Sequence, residues 1–242
     1  MICMFVAWAG GNALVRMFSG PKPITSQEVR TQIDREFANS SATLMSLKRH
    51  FPDFYETLLS KLSVMAASNK SKDEIREASR KEVYSFRARY LGLVSNASDG
   101  DLKLILKDNL EIYRAMLAQR GTSQCDRFFR EGVAAIPSDF VRNNQALIDK
   151  TAAHTFEIIR RTIDGKLKSP GDPSDEDWRL MTVTMQANGA TDAEMEKLAT
   201  AETDPKVRDL CPVGIKMIEA VISQEGLGGH RVRSGMIKLI LQ

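Results

Sequence analysis

The side chains best able to do chemistry are few and scattered. The chain carries three histidines, His50, His154 and His230, and three cysteines, Cys3, Cys125 and Cys211. A metal held inside a helical bundle needs several convergent ligands, commonly Glu plus a Glu-x-x-His pair from more than one helix. His154 and Glu157 share a helical face three residues apart, but in the reverse order and with no matching second pair. No metal site is expected from them. No cysteine belongs to a CxxC pair, which argues against a zinc ribbon or a thioredoxin-like site.

Nucleophilic catalysis would need Cys125 or Cys211 beside His154, a meeting that only the fold could arrange. There is no G-x-S-x-G elbow to offer a serine instead. Neither a G-x-x-x-x-G-K-[ST] phosphate loop nor a G-x-G-x-x-G fingerprint is present, so no nucleotide cofactor is expected. Cys3 lies in an apolar N-terminus, which leaves Cys125 and Cys211 as an even pair. In an oxidising compartment they can form a disulfide; in a reducing one they are two small buried hydrophobes.

Charged clusters read more simply as helix surface. Asp172, Asp175, Glu176 and Asp177 gather at a helix start, where the helix dipole favours negative charge, and they lack the order of a calcium loop. Between Lys70 and Arg89 the bases Arg76, Arg80, Lys81 and Arg87 alternate with Asp73, Glu74, Glu77 and Glu82. That mixture fits a solvated helix face better than a phosphate-binding stripe. The formal net charge of +3, from 34 basic and 31 acidic residues, likewise disfavours a nucleic-acid partner. Asn39, Asn69 and Asn96 each begin an Asn-x-Ser acceptor pattern, which matters only on a eukaryotic secretory route. Asn and Ser also gather at helix ends as turn and cap residues.

The elements that would position these groups are helices. Thr25–Glu28, Ser71–Glu74 and Thr191–Glu194 are capping boxes, each able to satisfy two free backbone donors at a helix start. Apolar residues follow at helical spacing: Val29, Ile33, Phe37, Leu44 and Leu47 in one run, then Phe54, Leu58, Leu62 and Met65 after Pro52. Ile75, Phe86 and Tyr90 mark another helix, and Leu102 to Leu117 a wide stripe ending at Gly121. A short helix would hold Cys125, Phe128 and Val133. A long one would run from Ile136 through Ile163, and another from about Pro205 to Gln224. Sustained alternation of period two and hairpin turns are both missing. The expected fold is all-α, a multi-helix bundle of about seven to nine helices.

Three segments are expected. Residues 1–23 form an apolar lead and a Pro-rich linker. Residues 24–225 form the helical domain, with Gly165 to Pro173 its strongest internal break, either an internal domain boundary or a long surface loop. Residues 226–242 form a Gly-rich, basic and apolar tail in which Gly226-Leu227-Gly228-Gly229 reads as a flexible hinge, followed by a short strand, a helix that docks back or a partner-binding segment. The lead, Met1 to Phe18, is slightly short of the about 20 apolar residues of a membrane span. Ala7-Trp8-Ala9 fits a signal-peptide cleavage pattern, but the basic start is missing. Membrane contact through residues 1–18, export, or simple packing on the core are the three fates open to it.

The function expected is a non-enzymatic helical interaction or scaffold domain, membrane-anchored or exported, with a protein partner and no cofactor. The apolar lead and tail are its expected contact segments. One alternative is an enzyme whose site is assembled from sequence-distant residues; another is a nucleic-acid-binding helical protein. The cytoplasm is the alternative location.

Overall fold

The computed structural model describes residues 25–40, 42–68, 70–165, 167–201 and 203–241. The apolar lead and most of the linker, residues 1–24, lie outside them. The fold is all-helical, with no strand among the described residues. The helices are α1 (Ser26–Ser40), α2 (Ala42–His50), α3 (Pro52–Ala67), α4 (Lys72–Val94), α5 (Asp99–Glu131), α6 (Ser138–Asn143), α7 (Gln145–Gly165), α8 (Asp175–Ala187), α9 (Asp192–Thr200), α10 (Leu210–Ser223) and α11 (Gly226–Leu241). A 3-10 turn, Gly132–Ala135, joins α5 to α6.

The helix starts follow the capping chemistry. The Ser71 and Thr191 hydroxyls accept from the amides of Glu74 and Glu194, and each glutamate accepts from the cap amide in return. Thr25 and Glu28 make the same exchange. Ser174 and Asp177 form a further box with aspartate in the glutamate's place. Each cap contributes about 1 kcal/mol.

Breaks occur where apolar spacing alone does not foretell them. The apolar run from Val29 to Leu47 falls in α1 and α2. The expected long helix from Ile136 divides at Asn144, whose amide donates to the Phe140 carbonyl and pairs with Gln119. Pro205 to Asp209 stay outside α10, and Pro212 sits in its first turn, where a missing amide costs nothing. The short helix after Gly121 is continuous with α5 but kinked there, with Gly121 at φ 74°, ψ 176°, a backbone region essentially reserved for glycine.

One core runs through the molecule. Val29, Ile33, Leu58 and Leu62 bury at one end; Cys211, Val221, Val232 and Ile237 belong to the same cluster at the other. α5 connects the two, packing against α7 along its first part and against α10 and α11. Phe51, Phe54, Phe86, Tyr90 and Phe156 form an aromatic cluster with ring centroids 4.2–6.1 Å apart. A small satellite core of Met185, Ala190, Val213 and Ala220 sits under α9, which itself buries no residue.

The Gly-rich tail is no hinge. It forms α11, and every residue from Val232 to Ile237 is buried. Its glycines are points of close approach. A Cβ on Gly228 would lie 2.4 Å from Asp177 Oδ1, one on Gly229 2.6 Å from the Gln224 carbonyl oxygen, and one on Gly235 2.8 Å from Pro173 Cγ. Val232, Met236 and Ile237 therefore fill the chain's own core, whereas Leu227 faces outward.

Candidate functional site

Two constellations bring together chemistry-bearing residues distant in sequence. The first lies along the seam between α5 and α7. Its rungs run antiparallel: Asp101 to Arg161, Asp108 to His154, Glu111 to Lys150. The acids stand on α5 and the bases on α7.

The central rung differs from its neighbours. Asp108 is 2% exposed, yet it sits in the apolar stripe between Ile105 and Ile112. One of its oxygens meets His154 Nδ1 at 2.7 Å, and the other lies 3.5 Å from Lys150 Nζ. Lys150 also donates to Glu111 at 2.6 Å, a bond that raises the pKa of its ammonium. A buried carboxylate is tolerated only when paired and hydrogen-bonded. The arrangement fixes the imidazole, because the bond made by one ring nitrogen decides which nitrogen holds the proton. In the neutral ring, donation from Nδ1 to Asp108 leaves the lone pair on Nε2. The His154 side chain is 30% exposed, and its Nε2 has no hydrogen-bond partner among the described residues.

The second constellation joins α5 to α10. Cys125 and Cys211 lie with their Cα atoms 5.6 Å apart and their sulfurs in bonding contact, both wholly buried. Beside them, the buried Asp126 carboxylate accepts from the amides of Asp209 and Cys211, both at 2.8 Å. It caps α10 from another helix, since Asp209 is left-handed at φ 60° and makes no side-chain cap bond. Arg130 then donates to the carbonyls of Ala201 and Val207, at 2.7 and 2.9 Å. The segment between α9 and α10 is thus pinned to the end of α5 at three places.

The candidates from the sequence therefore separate. The cysteines meet each other, and His154 meets Asp108. No Cys–His contact exists among the described residues. His230 Nε2 bonds the Ala97 carbonyl, docking α11 on the turn before α5. Burial lowers the pKa of His50. No group of three His, Cys, Asp or Glu side chains among the described residues is placed to hold a metal ion. No described helix is long and apolar enough to cross a membrane. The side chains of Arg76, Arg80 and Arg87 lie outside the described residues.

Carboxylates in the C-terminal half link its stability to pH. Arg231 and the Ser174 amide hold Asp177 well below the usual carboxylate range. Lys216 and the Thr191 amide hold Glu194 down to about 2. A carboxyl whose folded pKa is depressed stabilises the fold above its unfolded value and loses that contribution as pH falls through the folded one. The unfolded values lie near 4. The urea midpoint is therefore expected to fall steadily from about pH 4 toward pH 2. His50 acts on the same side higher up, because charging a half-buried imidazole whose folded pKa is lowered subtracts stability below about pH 6.5. A midpoint unchanged between pH 4 and pH 2.5 would contradict the assignment of Asp177 and Glu194.

Asp108 is the buried residue of this seam that the sequence reading passes over. Its signal was its position, three residues after Ile105 and four before Ile112 on the apolar face of one helix. No family model, no curated protein and no solved structure matches this chain.

Proposed function

We propose that the chain is a helical interaction domain whose contact surface for a protein partner is the outer face of α8. One observation carries this reading: Leu180 and Val183 are 45% and 48% exposed on a single stripe of that helix. The opposite face of α8 buries Asp177 and Met185, so the helix is held firmly while its outer stripe stays apolar. Ala187 extends the stripe at helical spacing, and the paired Glu176 and Arg179 edge it. An apolar centre with a charged edge is the usual anatomy of a recognition surface.

The test places a photo-crosslinking residue at 180 or 183 in cells and compares it with exposed position 196 on α9. A discrete protein adduct from 180 and 183, lost with Val183→Glu, is the expected result. Val183→Glu should leave stability within about 0.5 kcal/mol of wild type, as exposed substitutions do. Equal labelling from 196 would overturn the reading.

A second reading concerns the compartment, and the cysteine pair carries it. We infer that Cys125 and Cys211 are oxidised to a disulfide in an exported or membrane-tethered chain. Closing the 86-residue separation would restrict the unfolded chain by about 4–5 kcal/mol. Alkylation of the native protein after unfolding without reductant should leave both cysteine peptides unlabelled. Full labelling of both would remove the disulfide and, with it, this support for export.

A further inference from the structure

We propose that His154 is a phosphoryl-acceptor residue, with Asp108 as its positioning residue and a phosphohistidine on a partner protein as the donor. This rests on the α5–α7 seam and is independent of the α8 surface. The Nε2 lone pair attacks phosphorus, the bond from phosphorus to the donor's imidazole nitrogen breaks, and that electron pair leaves with the donor ring. The proton on His154 Nδ1 stays there, held by Asp108, and nothing is oxidised or reduced. One phosphorus–nitrogen bond replaces another, so the exchange needs no further reactant.

Three observations point to this chemistry. The buried Asp108 carboxylate lies 2.7 Å from Nδ1 and holds the ring in the tautomer that presents Nε2 as the nucleophile. Nε2 has no partner among the described residues on a side chain that is 30% exposed. Two cations flank it: Lys150 stands one turn before His154 and Arg161 two turns after, the first shared by Asp108 and Glu111 and the second by Asp101 and Glu157. A phosphoryl group bringing up to two negative charges competes with those carboxylates for the two cations. Acyl transfer fits less well, because the backbone amides of α7 are engaged in the helix and offer no oxyanion hole. The site lies on an open helix seam, and the described cavity on α1, lined by Gln27, Glu28, Thr31, Gln32 and Arg35, is elsewhere. An open seam suits a donor carried on another protein's surface.

The experiment uses the full chain and phosphoramidate, a small donor with the same phosphorus–nitrogen bond. Peptide mapping at alkaline pH follows the acid-labile phosphoryl adduct at each histidine over time. His154 is expected to label at least about tenfold faster than His50, an effect of the size that orienting hydrogen bonds have on imidazole ligands. His154→Gln should remove that adduct alone. Asp108→Asn should reduce the ratio of His154 to His50 labelling toward one, whereas simple loosening of the fold would raise both rates. Equal rates at His154 and His50 in the wild-type chain would overturn the proposal. So would a ratio unchanged by Asp108→Asn in a variant that retains its helicity. If that variant unfolds, the wild-type ratio alone decides.

Discussion

Arg233→Met is expected to destabilise the chain by about 2–4 kcal/mol, because it removes a wholly buried guanidinium that serves two backbone carbonyls. Arg233 is wholly buried in α11. Its Nε donates to Asp99 Oδ1 at 2.7 Å, and Nη1 donates to the carbonyls of Val221 and Gln224, both at 2.7 Å. One guanidinium therefore satisfies the carbonyl end of α10 and the acidic start of α5 together. Methionine fills much of the volume but leaves the Val221 and Gln224 carbonyls without this donor, while the half-exposed Asp99 keeps Lys103. Arg233→Lys should recover little, since a single ammonium cannot reproduce the planar fork. Arg231→Met is the comparison: it breaks a two-bond pair with Asp177, but the Arg231 side chain is 26% exposed and water can replace part of the loss. Urea denaturation should rank Arg233→Met well below Arg231→Met. A loss under about 1 kcal/mol at Arg233 would mean its buried hydrogen bonds give little net stability.

Asp126→Ala is expected to cost about 3 kcal/mol, the size of two charged hydrogen bonds lost in a buried site. Its effect should be local as well as global. The amides of Asp209 and Cys211 lose their acceptor, so the first turn of α10 should exchange hydrogen faster than its last. The Cys125–Cys211 contact and the Arg130 bonds to Ala201 and Val207 still hold the segment. Asp126→Asn keeps one acceptor oxygen and should fall between wild type and alanine. Uniform exchange along α10 in Asp126→Ala would show that the cap does not set the stability of that turn.

The helical character of the chain was legible because it rests on local rules. The boxes at Thr25, Ser71 and Thr191 form as their spacing requires, and most apolar residues placed at helical intervals lie in the core. Boundaries were less legible where a side-chain amide intervened, as at Asn144. A helix that docks back was one of the forms open to the tail, but its glycine run was misread because glycine has two uses. Read along the chain, Gly226 to Gly229 signals freedom of the backbone; in the fold, Gly228 and Gly229 let α11 approach Asp177 and the Gln224 carbonyl. The α5–α7 seam was hidden for another reason. Asp101, Asp108 and Glu111, or Lys150, His154 and Arg161, each look like ordinary surface charges on one helix. They become complementary only when the two helices lie antiparallel, which local sequence does not encode. The cysteine pair was open to the sequence by elimination alone, whereas the cap from Asp126 beside it had no local signature.

The buried α11 has a consequence for how the chain is made. Translation delivers it after α5, α8 and α10, the helices that surround it. Until Ile237 has emerged, those helices carry an uncovered apolar trough, and Asp99 and the carbonyls of Val221 and Gln224 wait for a guanidinium that does not yet exist. The nascent chain thus passes through a stage that exposes the hydrophobic surface chaperones recognise and aggregation exploits. A stop codon a few residues before Val232 would leave every surrounding helix intact in sequence yet trap the product at that stage.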